Sequence, residues 1–157
     1  MIQDNGRPGN KLPPAMLRVG ALLGPLLNAG VPLGPLWLLE TRGRKTGTLR
    51  TVPVVVFRSD GQRWLVSVFG ETGWVRNLRV AKSARLRRGR RAEKIDVMEV
   101  RDERRAMVAM RLRRSFWFIP FVRDAFAAGP RDEARAFEAE AGRHPVFLIS
   151  DADGGLA

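Results

Sequence analysis

The stretch Thr51–Val68, TVPVVVFRSDGQRWLVSV, decides the fold of this 157-residue chain. Its first half is rich in valine and phenylalanine, which favour β-strands, and Ser59–Gly61 is a typical hairpin turn. Gln62–Val68 then predicts the returning strand. Because proline cannot donate a ladder hydrogen bond, Pro53 indicates an edge or a bulge. The stretch therefore predicts an antiparallel β-hairpin.

Further strands are predicted on both sides of this hairpin. Leu36–Thr41 is an extended run before it, and Pro145–Ser150 is a last strand. Two more strands, Arg85–Arg88 and Ala92–Arg101, turn about Gly89. Strand–turn–strand pairs dominate, which favours a small antiparallel barrel over a parallel α/β sheet.

Helices are predicted around these strands. Pro13–Asn28 is an N-terminal helix, and Glu71–Val80 is a short one. Glu103–Arg113 is a third, with Asp102 as its N-cap. The fourth, Pro130–Ala141, has a proline at its first position and a glycine at its C-terminal cap. The fold class is therefore mainly β with added helices.

The chain length suits one compact domain. We expect a flexible lead over residues 1–11 and a single domain over residues 12–157. Met1–Asn10 lacks the charged-then-apolar order of a signal peptide, so a cytoplasmic location is expected. Peripheral membrane contact through the N-terminal helix stays open as an alternative.

The composition narrows the chemistry. The chain has 28 lysine and arginine residues against 16 acids, a net charge of +12, which indicates an anionic partner or a charged soluble surface. It has no cysteine and one histidine, His144, which excludes thiolate chemistry and multi-histidine metal sites. It has no tyrosine, so no mechanism here depends on a phenol. We expect no metal.

A basic turn with two glycines follows the first strand. Thr41–Pro53 reads TRGRKTGTLRTVP, and its glycines allow close approach of the backbone to a ligand. Exposed backbone N–H groups and polar side chains would converge on a phosphate here. Those side chains are Arg44, Lys45, Thr46 and Arg50. The alternative is a charged hairpin turn without a ligand, since the residue order is not that of a Walker A loop.

A second stretch lies between a strand and a helix. Ser67–Leu78 reads SVFGETGWVRNL, and backbone N–H groups at a helix start favour anions. Gly70 gives the loop freedom, Trp74 would pack on a ring, and Asn77 would make paired hydrogen bonds. The alternative places Trp74 and Leu78, four residues apart, in the core on one helix face.

Together the two stretches resemble the deazaflavin-dependent nitroreductase family. Its typical segment T-x-G-R-K-[ST]-G-x-x-R-x-x-P matches Thr41–Pro53 in full, and its W-x-x-N-L matches Trp74–Leu78. A closing H-P-V-F is similar at His144–Phe147. The resemblance implies a split β-barrel of the FMN-binding type, the cofactor F420, with FMN as the alternative, and hydride transfer as the activity.

The resemblance also implies roles for single residues. Arg44, Lys45, Thr46 and Arg50 would hold the phosphate and acidic tail of the cofactor. The strand residues Pro53, Val54 and Val55 would lie along its ring, and Gly70, Trp74 and Asn77 would help to close the site. Many relatives have S-K-G-G where this chain has Val68–Glu71, and Glu71 is expected to repel a phosphate at short range.

Two remaining clusters have competing interpretations. The aromatic residues Phe116, Trp117 and Phe118 would line a substrate pocket, touch a membrane or fill the core between helices. Arg85–Arg91 is a basic cluster that would contact nucleic acid or form a solvated hairpin tip. We prefer the pocket for the first and the hairpin tip for the second.

The sequence therefore predicts an F420-dependent oxidoreductase. Its acceptor is a small, apolar, unsaturated or nitro-type molecule, and homodimer formation stays open. No nucleic-acid partner is expected. The alternatives are a cofactor or lipophilic-ligand binder without catalysis on the same barrel, and a basic nucleic-acid-binding protein.

Overall fold

The computed structural model describes residues 25–26, 29 and 34–152. In this part of the chain six antiparallel strands close into a barrel in the order β1-β2-β3-β6-β5-β4. The strands are β1 (Leu36–Arg42), β2 (Leu49–Ser59), β3 (Gln62–Val66), β4 (Ser83–Arg88), β5 (Arg91–Val100) and β6 (Val146–Asp151). The expectation of a mainly β barrel with added helices is confirmed.

The predicted hairpin is present between β2 and β3. Ser59 pairs with Gln62, and the two turn residues have positive φ, 54° at Asp60 and 72° at Gly61, as a two-residue hairpin loop requires. β2 pairs with β3 only from Val55 onward. Pro53 therefore lies where β2 is paired with β1 alone, which fits a residue that cannot donate to a second neighbour.

Alternating side chains divide the core in two. The barrel-interior cluster takes residues from all six strands, among them Leu39, Val54 and Leu65. The helix-covered cluster lies on the outer face and includes Val55 and Phe57. Because successive strand residues point to opposite faces, one run of valines serves both clusters. Full burial of each such side chain contributes about 1.5–3 kcal/mol.

Four helices lie on this barrel in the described residues. They are α1 (Gly73–Ala81), α2 (Arg104–Ser115), α3 (Pro120–Ala125) and α4 (Ala134–Glu140). Helix α1 packs Val75 and Leu78, both fully buried, into the barrel-interior cluster. Helices α2 to α4 cover the outer cluster. At the start of α2, Asp102 Oδ1 accepts a hydrogen bond of 3.0 Å from the Arg104 N–H. The N-cap position itself is Glu103, one residue later than predicted, and its side chain makes no capping hydrogen bond.

The prediction for the last helix is wrong at both ends. It begins at Ala134, four residues after Pro130, because Asp132 closes a separate turn by accepting a 2.7 Å hydrogen bond from the Gly129 N–H. It ends at Glu140, and Gly142 lies inside a following 3₁₀ turn and does not cap the helix. Aspartate side chains often take backbone donors away from a helix in this way.

The predicted N-terminal helix is not confirmed. Pro25 and Leu26 are helical, but the rest of Pro13–Asn28 and the lead over residues 1–11 lie outside the described residues. Within the part of the chain that is described, no helix has the length and apolar character needed to cross a bilayer.

Candidate functional site

The basic turn between β1 and β2 has a fixed backbone. The Gly43 N–H donates to Thr48 O at 2.8 Å, and the Gly47 N–H donates to Gly43 O at 2.8 Å. Gly47 has a φ of 68°, which favours glycine. A Cβ at Gly43 would meet the Thr46 hydroxyl at 2.8 Å, so this position also excludes a side chain unless Thr46 moves.

The Thr46 side chain serves the turn itself. Its Oγ1 accepts a 3.3 Å hydrogen bond from the Thr48 N–H. A hydroxyl can still donate its proton outward while it accepts this bond. The proposed phosphate contact of Thr46 is therefore compatible with its place in the turn.

Two cations of the turn have no carboxylate partner among the described residues. Lys45 and Arg50 are both exposed, and neither forms an ion pair or a side-chain hydrogen bond with another described residue. The backbone N–H groups of Lys45 and Thr46 likewise have no partner within the described range. The turn thus offers free positive charge and free donors to an anion from solvent.

Arg44 is held by the second motif. The side-chain oxygen of Asn77, in α1, accepts hydrogen bonds from the Arg44 N–H at 3.3 Å and from Arg44 Nη1 at 3.2 Å. The Asn77 amide donates to Thr41 Oγ1 at 3.4 Å, and the Asn77 side chain is buried. The structure therefore brings the two stretches into one site, with Asn77 as the link that positions the turn.

Thr41 is a site residue that the sequence interpretation missed. It is 3% exposed, lies opposite Arg50 in the β1–β2 ladder, and accepts the Asn77 hydrogen bond. Residues opposite each other in a ladder share a face, so Arg50 lies on the same side as Thr41. The first letter of the TRGRKTG stretch was the signal that could have indicated it.

The strand residues expected along the ring differ in what they can contact. Val54 faces the barrel interior and Val55 faces the helix-covered cluster, and both are almost fully buried. Neither side chain is open to a ligand in this structure. Pro53 is half-buried and keeps part of its ring accessible. Contact of these three residues with a cofactor stays a prediction.

The loop before α1 contains an ion-paired acid, Glu71. Arg79 donates to both carboxylate oxygens of Glu71, at 2.7 and 2.6 Å, and also to Glu99 at 2.8 Å. The guanidinium lowers the pKa of Glu99 below its ordinary value. Arg79 is shared between the two carboxylates, and its contact with Glu71 offsets part of the repulsion expected from that residue. Sequence reasoning did not single out Arg79, because nothing local pairs residues 71 and 79.

The same loop is tightened at Gly70. Its φ is 81°, and its carbonyl accepts a 2.6 Å hydrogen bond from the Ser67 hydroxyl. Trp74 follows in α1 as a half-buried residue whose ring lies 6.2 Å from that of Phe147. Trp74 thus packs partly against the barrel-interior cluster, as the core interpretation required, while part of its surface remains accessible.

The aromatic run after α2 divides into two parts. Phe116 is half-buried and meets Phe57 edge-on with ring centroids 5.9 Å apart, so it belongs to the core. Trp117 and Phe118 are each 61% exposed, and their ring centroids lie 6.0 Å apart. Of the three aromatic residues, these two present most of their surface to solvent, and their role in a substrate pocket stays a prediction.

Comparison with known protein families gives one match. The family model described as F420H(2)-dependent quinone reductase matches residues 18–117, which include both motifs. No curated protein matches the chain.

Solved structures with the same fold are distant in sequence. An F420-H2 dependent reductase (FDR-A) is 16% identical, with a TM-score of 0.50, covering 74% of this chain and 94% of its own. A protein described as a domain-swapped dimer is 15% identical, with a TM-score of 0.50, and the match covers 87% of this chain and 98% of that protein. ChuZ of Campylobacter jejuni is 7% identical, with a TM-score of 0.52, and the match covers 83% of this chain and 53% of ChuZ. These likenesses show the fold.

Proposed function

This chain belongs to the F420H2-dependent quinone reductase family, so it is an F420-dependent oxidoreductase, and we propose that its acceptor is a small, apolar, unsaturated molecule. Quinones are the first candidate class, and nitro compounds are the second. The observation that carries the proposal is the contact of Asn77 with Arg44, which joins the two cofactor motifs in one site.

The residues present fit an acidic, phosphate-bearing cofactor. Lys45 and Arg50 are exposed cations without a carboxylate partner among the described residues, and the N–H groups of Lys45 and Thr46 are free donors. Each hydrogen bond that such a group makes to a charged oxygen contributes about 1.5–3 kcal/mol. A donor set of this kind binds anions and would not favour a neutral ligand.

Each part of the site has a separate task in this proposal. Lys45, Thr46 and Arg50 bind the phosphate and the acidic tail, while Asn77 holds Arg44 and fixes the turn. Pro53, the backbone of Val54 and Val55, Gly70 and Trp74 flank the ring. When bound, the reduced deazaflavin supplies a hydride, and the protein supplies orientation and electrostatics.

The acceptor gains two electrons overall. Reduction of a quinone to a quinol takes one hydride and one proton, and water is an available source of the proton. The exposed rings of Trp117 and Phe118 would contact an apolar acceptor by burying surface against it. This assignment follows from their exposure and from the aromatic character of the run.

The experiment that tests the proposal is a turnover assay. Purified protein with F420H2 should reduce a short-chain benzoquinone, followed as the return of oxidised F420 absorbance, and a nitroaromatic acceptor in parallel ranks the two classes. Reduced FMN replaces F420H2 in a third arm. F420 binding without turnover of any acceptor would contradict the proposed reaction. Activity with reduced FMN but not with F420H2 would contradict the assignment of F420 as the cofactor.

We propose one domain over residues 12–157, with its lead over residues 1–11. Homodimer formation and peripheral membrane contact through the N-terminal helix also remain predictions. Light scattering of the pure protein and co-sedimentation with lipid vesicles test them directly.

A further inference from the structure

A second basic site lies at the end of the barrel opposite the Arg42–Leu49 turn. We call it the distal mouth. It encloses a cavity of about 280 Å³. The residues that line it include Trp37, Arg58, Arg63, Arg88, Arg91 and Glu93. They come from the start of β1, β3 and β5 and from the end of β2 and β4.

Strand alternation places these side chains inside the mouth. Arg58 continues the inward face of Val54 and Val56, and Arg88 continues that of Leu86. Arg91 lies opposite Arg88 in the β4–β5 ladder and shares its face. The arginines of the distal mouth therefore follow from the barrel geometry. Arg58, Arg63 and Arg88 occupy the next inward position beyond the apolar core of their strands, and Arg91 lies one inward position beyond Glu93.

The charges in the mouth are not balanced. Arg63 pairs with Glu93 and lies 3.7 Å from Asp151 Oδ1, so its charge is offset. Arg58 and Arg91 have no ion-pair partner among residues 34–152. With four arginines against Glu93 and the neighbouring Asp151, the mouth keeps an excess of positive charge.

Arg88 is the most constrained of the four. Its Nη2 donates to Gly34 O at 3.1 Å and to Leu36 O at 2.9 Å, and its guanidinium lies 4.3 Å from the centre of the Trp37 ring. Its Nε is buried without a hydrogen-bond partner. Burial lowers the pKa of Arg88 below its ordinary value, and Arg91 adds to that shift. A bound anion would oppose this shift, because a nearby negative charge favours the charged guanidinium.

We propose that the distal mouth binds a small anion with two or more negative charges, of the diphosphate or polycarboxylate class. The unpaired Arg58 and Arg91 would make the direct contacts, because planar guanidinium groups match the paired oxygens of phosphates and carboxylates. The cavity is somewhat below the usual range of ligand pockets, about 300–1,000 Å³, which favours a small polyanion over a whole nucleotide cofactor.

The test is calorimetric titration of the protein with sodium pyrophosphate and, separately, with citrate at constant ionic strength. Saturable binding that is retained in the Lys45→Ala variant should appear for at least one probe, and the tighter probe identifies the class. Arg58→Gln and Arg91→Gln should each weaken binding about tenfold, the equivalent of 1.4 kcal/mol. Arg90→Gln is the matched control, since Arg90 is exposed in the same hairpin but does not line the cavity.

The Lys45→Ala variant separates this site from the proposed cofactor site. Binding at the distal mouth should persist in Lys45→Ala and be lost in the double variant Arg58→Gln/Arg91→Gln, whose fold is checked by circular dichroism. No binding of either probe up to about 10 mM would overturn the proposal. So would an equal loss in Arg90→Gln, or binding that depends on Lys45 and not on Arg58.

Discussion

The side-chain oxygen of Asn77 accepts two hydrogen bonds from Arg44, at 3.3 Å from the backbone N–H and at 3.2 Å from Nη1. The two residues are 33 positions apart in the chain, one in a helix and the other in a turn. This contact makes the position of the basic turn depend on α1. It also uses the Asn77 amide within the protein, so we infer that Asn77 positions the site and does not bind the cofactor directly.

Replacing Asn77 tests this positioning role. Asn77→Ala removes both acceptor contacts and should weaken F420 binding about tenfold, because the freed turn must be ordered again on binding. Asn77→Asp keeps the oxygen that Arg44 contacts and should retain most of the affinity. The measurement is fluorescence titration with F420, with unfolding by urea as a parallel readout. If both variants lose stability but bind F420 normally, the positioning role is wrong.

The pair of Arg79 and Glu71 makes a second prediction. Arg79→Met leaves the Glu71 charge unopposed beside the loop, so F420 affinity should fall several-fold, with a larger effect at low salt. The additional change Glu71→Gln should restore most of that loss. A double-mutant cycle of F420 dissociation constants measures the coupling. Equal losses of F420 affinity in Arg79→Met and in the double variant would show that the Glu71 charge does not affect cofactor binding.

The exposed aromatic pair makes a prediction about the acceptor. Trp117→Ser and Phe118→Ser should each raise KM for an apolar quinone several-fold, with F420 affinity and unfolding free energy nearly unchanged, since both rings are mostly exposed. Met98→Ser is the control, because Met98 is an exposed apolar residue on β5. Steady-state kinetics with quinones of increasing chain length measure the effect. An equal rise in the control would exclude a specific contact.

His144 makes the stability of the fold sensitive to acid. Burial lowers the pKa of His144 below 6.5, and the nearby Glu140 opposes this shift only in part. As the pH falls, the unfolded chain therefore binds the proton before the folded chain does. The free energy of unfolding should be highest above about pH 6.5 and should decrease as the pH is lowered. One such group contributes a slope of at most about 1.4 kcal/mol per pH unit.

The variant His144→Phe removes this titration and keeps an aromatic ring against Phe126, whose centroid lies 4.3 Å away. Urea unfolding of both proteins at several values between pH 7 and pH 5 gives the comparison. The parent should lose more stability over this range than the variant. If the free energy of unfolding changes equally with pH in both proteins, His144 does not make the parent less stable at low pH.

Much of the barrel could be predicted from local sequence. The valine-rich run of β2, the Asp60–Gly61 turn and Gly89 each specify a hairpin by short-range chemistry. The start of α4 could not be predicted, because Asp132 binds the Gly129 N–H and competes with a helical start at Pro130. The choice between these two local structures depends on tertiary contacts.

In the candidate site, too, local features could be predicted from the sequence and tertiary contacts could not. The Thr41–Pro53 stretch predicted a basic turn able to receive a phosphate, and Lys45 and Arg50 have no ion-pair partner within the described residues. The partners of Asn77 and Glu71 could not be read from the sequence, since Thr41 and Arg79 reach them only after the barrel has closed and α1 has packed. Spacing along the chain holds no information on such contacts.

The most direct test of the central claim, that the Gly43–Arg50 turn binds the anionic cofactor, is a fluorescence titration with oxidised F420. Lys45→Ala and Arg50→Ala should each cost about 1.5–3 kcal/mol of binding free energy, because each removes a charge-assisted contact. Lys94→Ala, an exposed lysine on β5, should bind like the parent. Unchanged affinity in both turn variants would contradict the account.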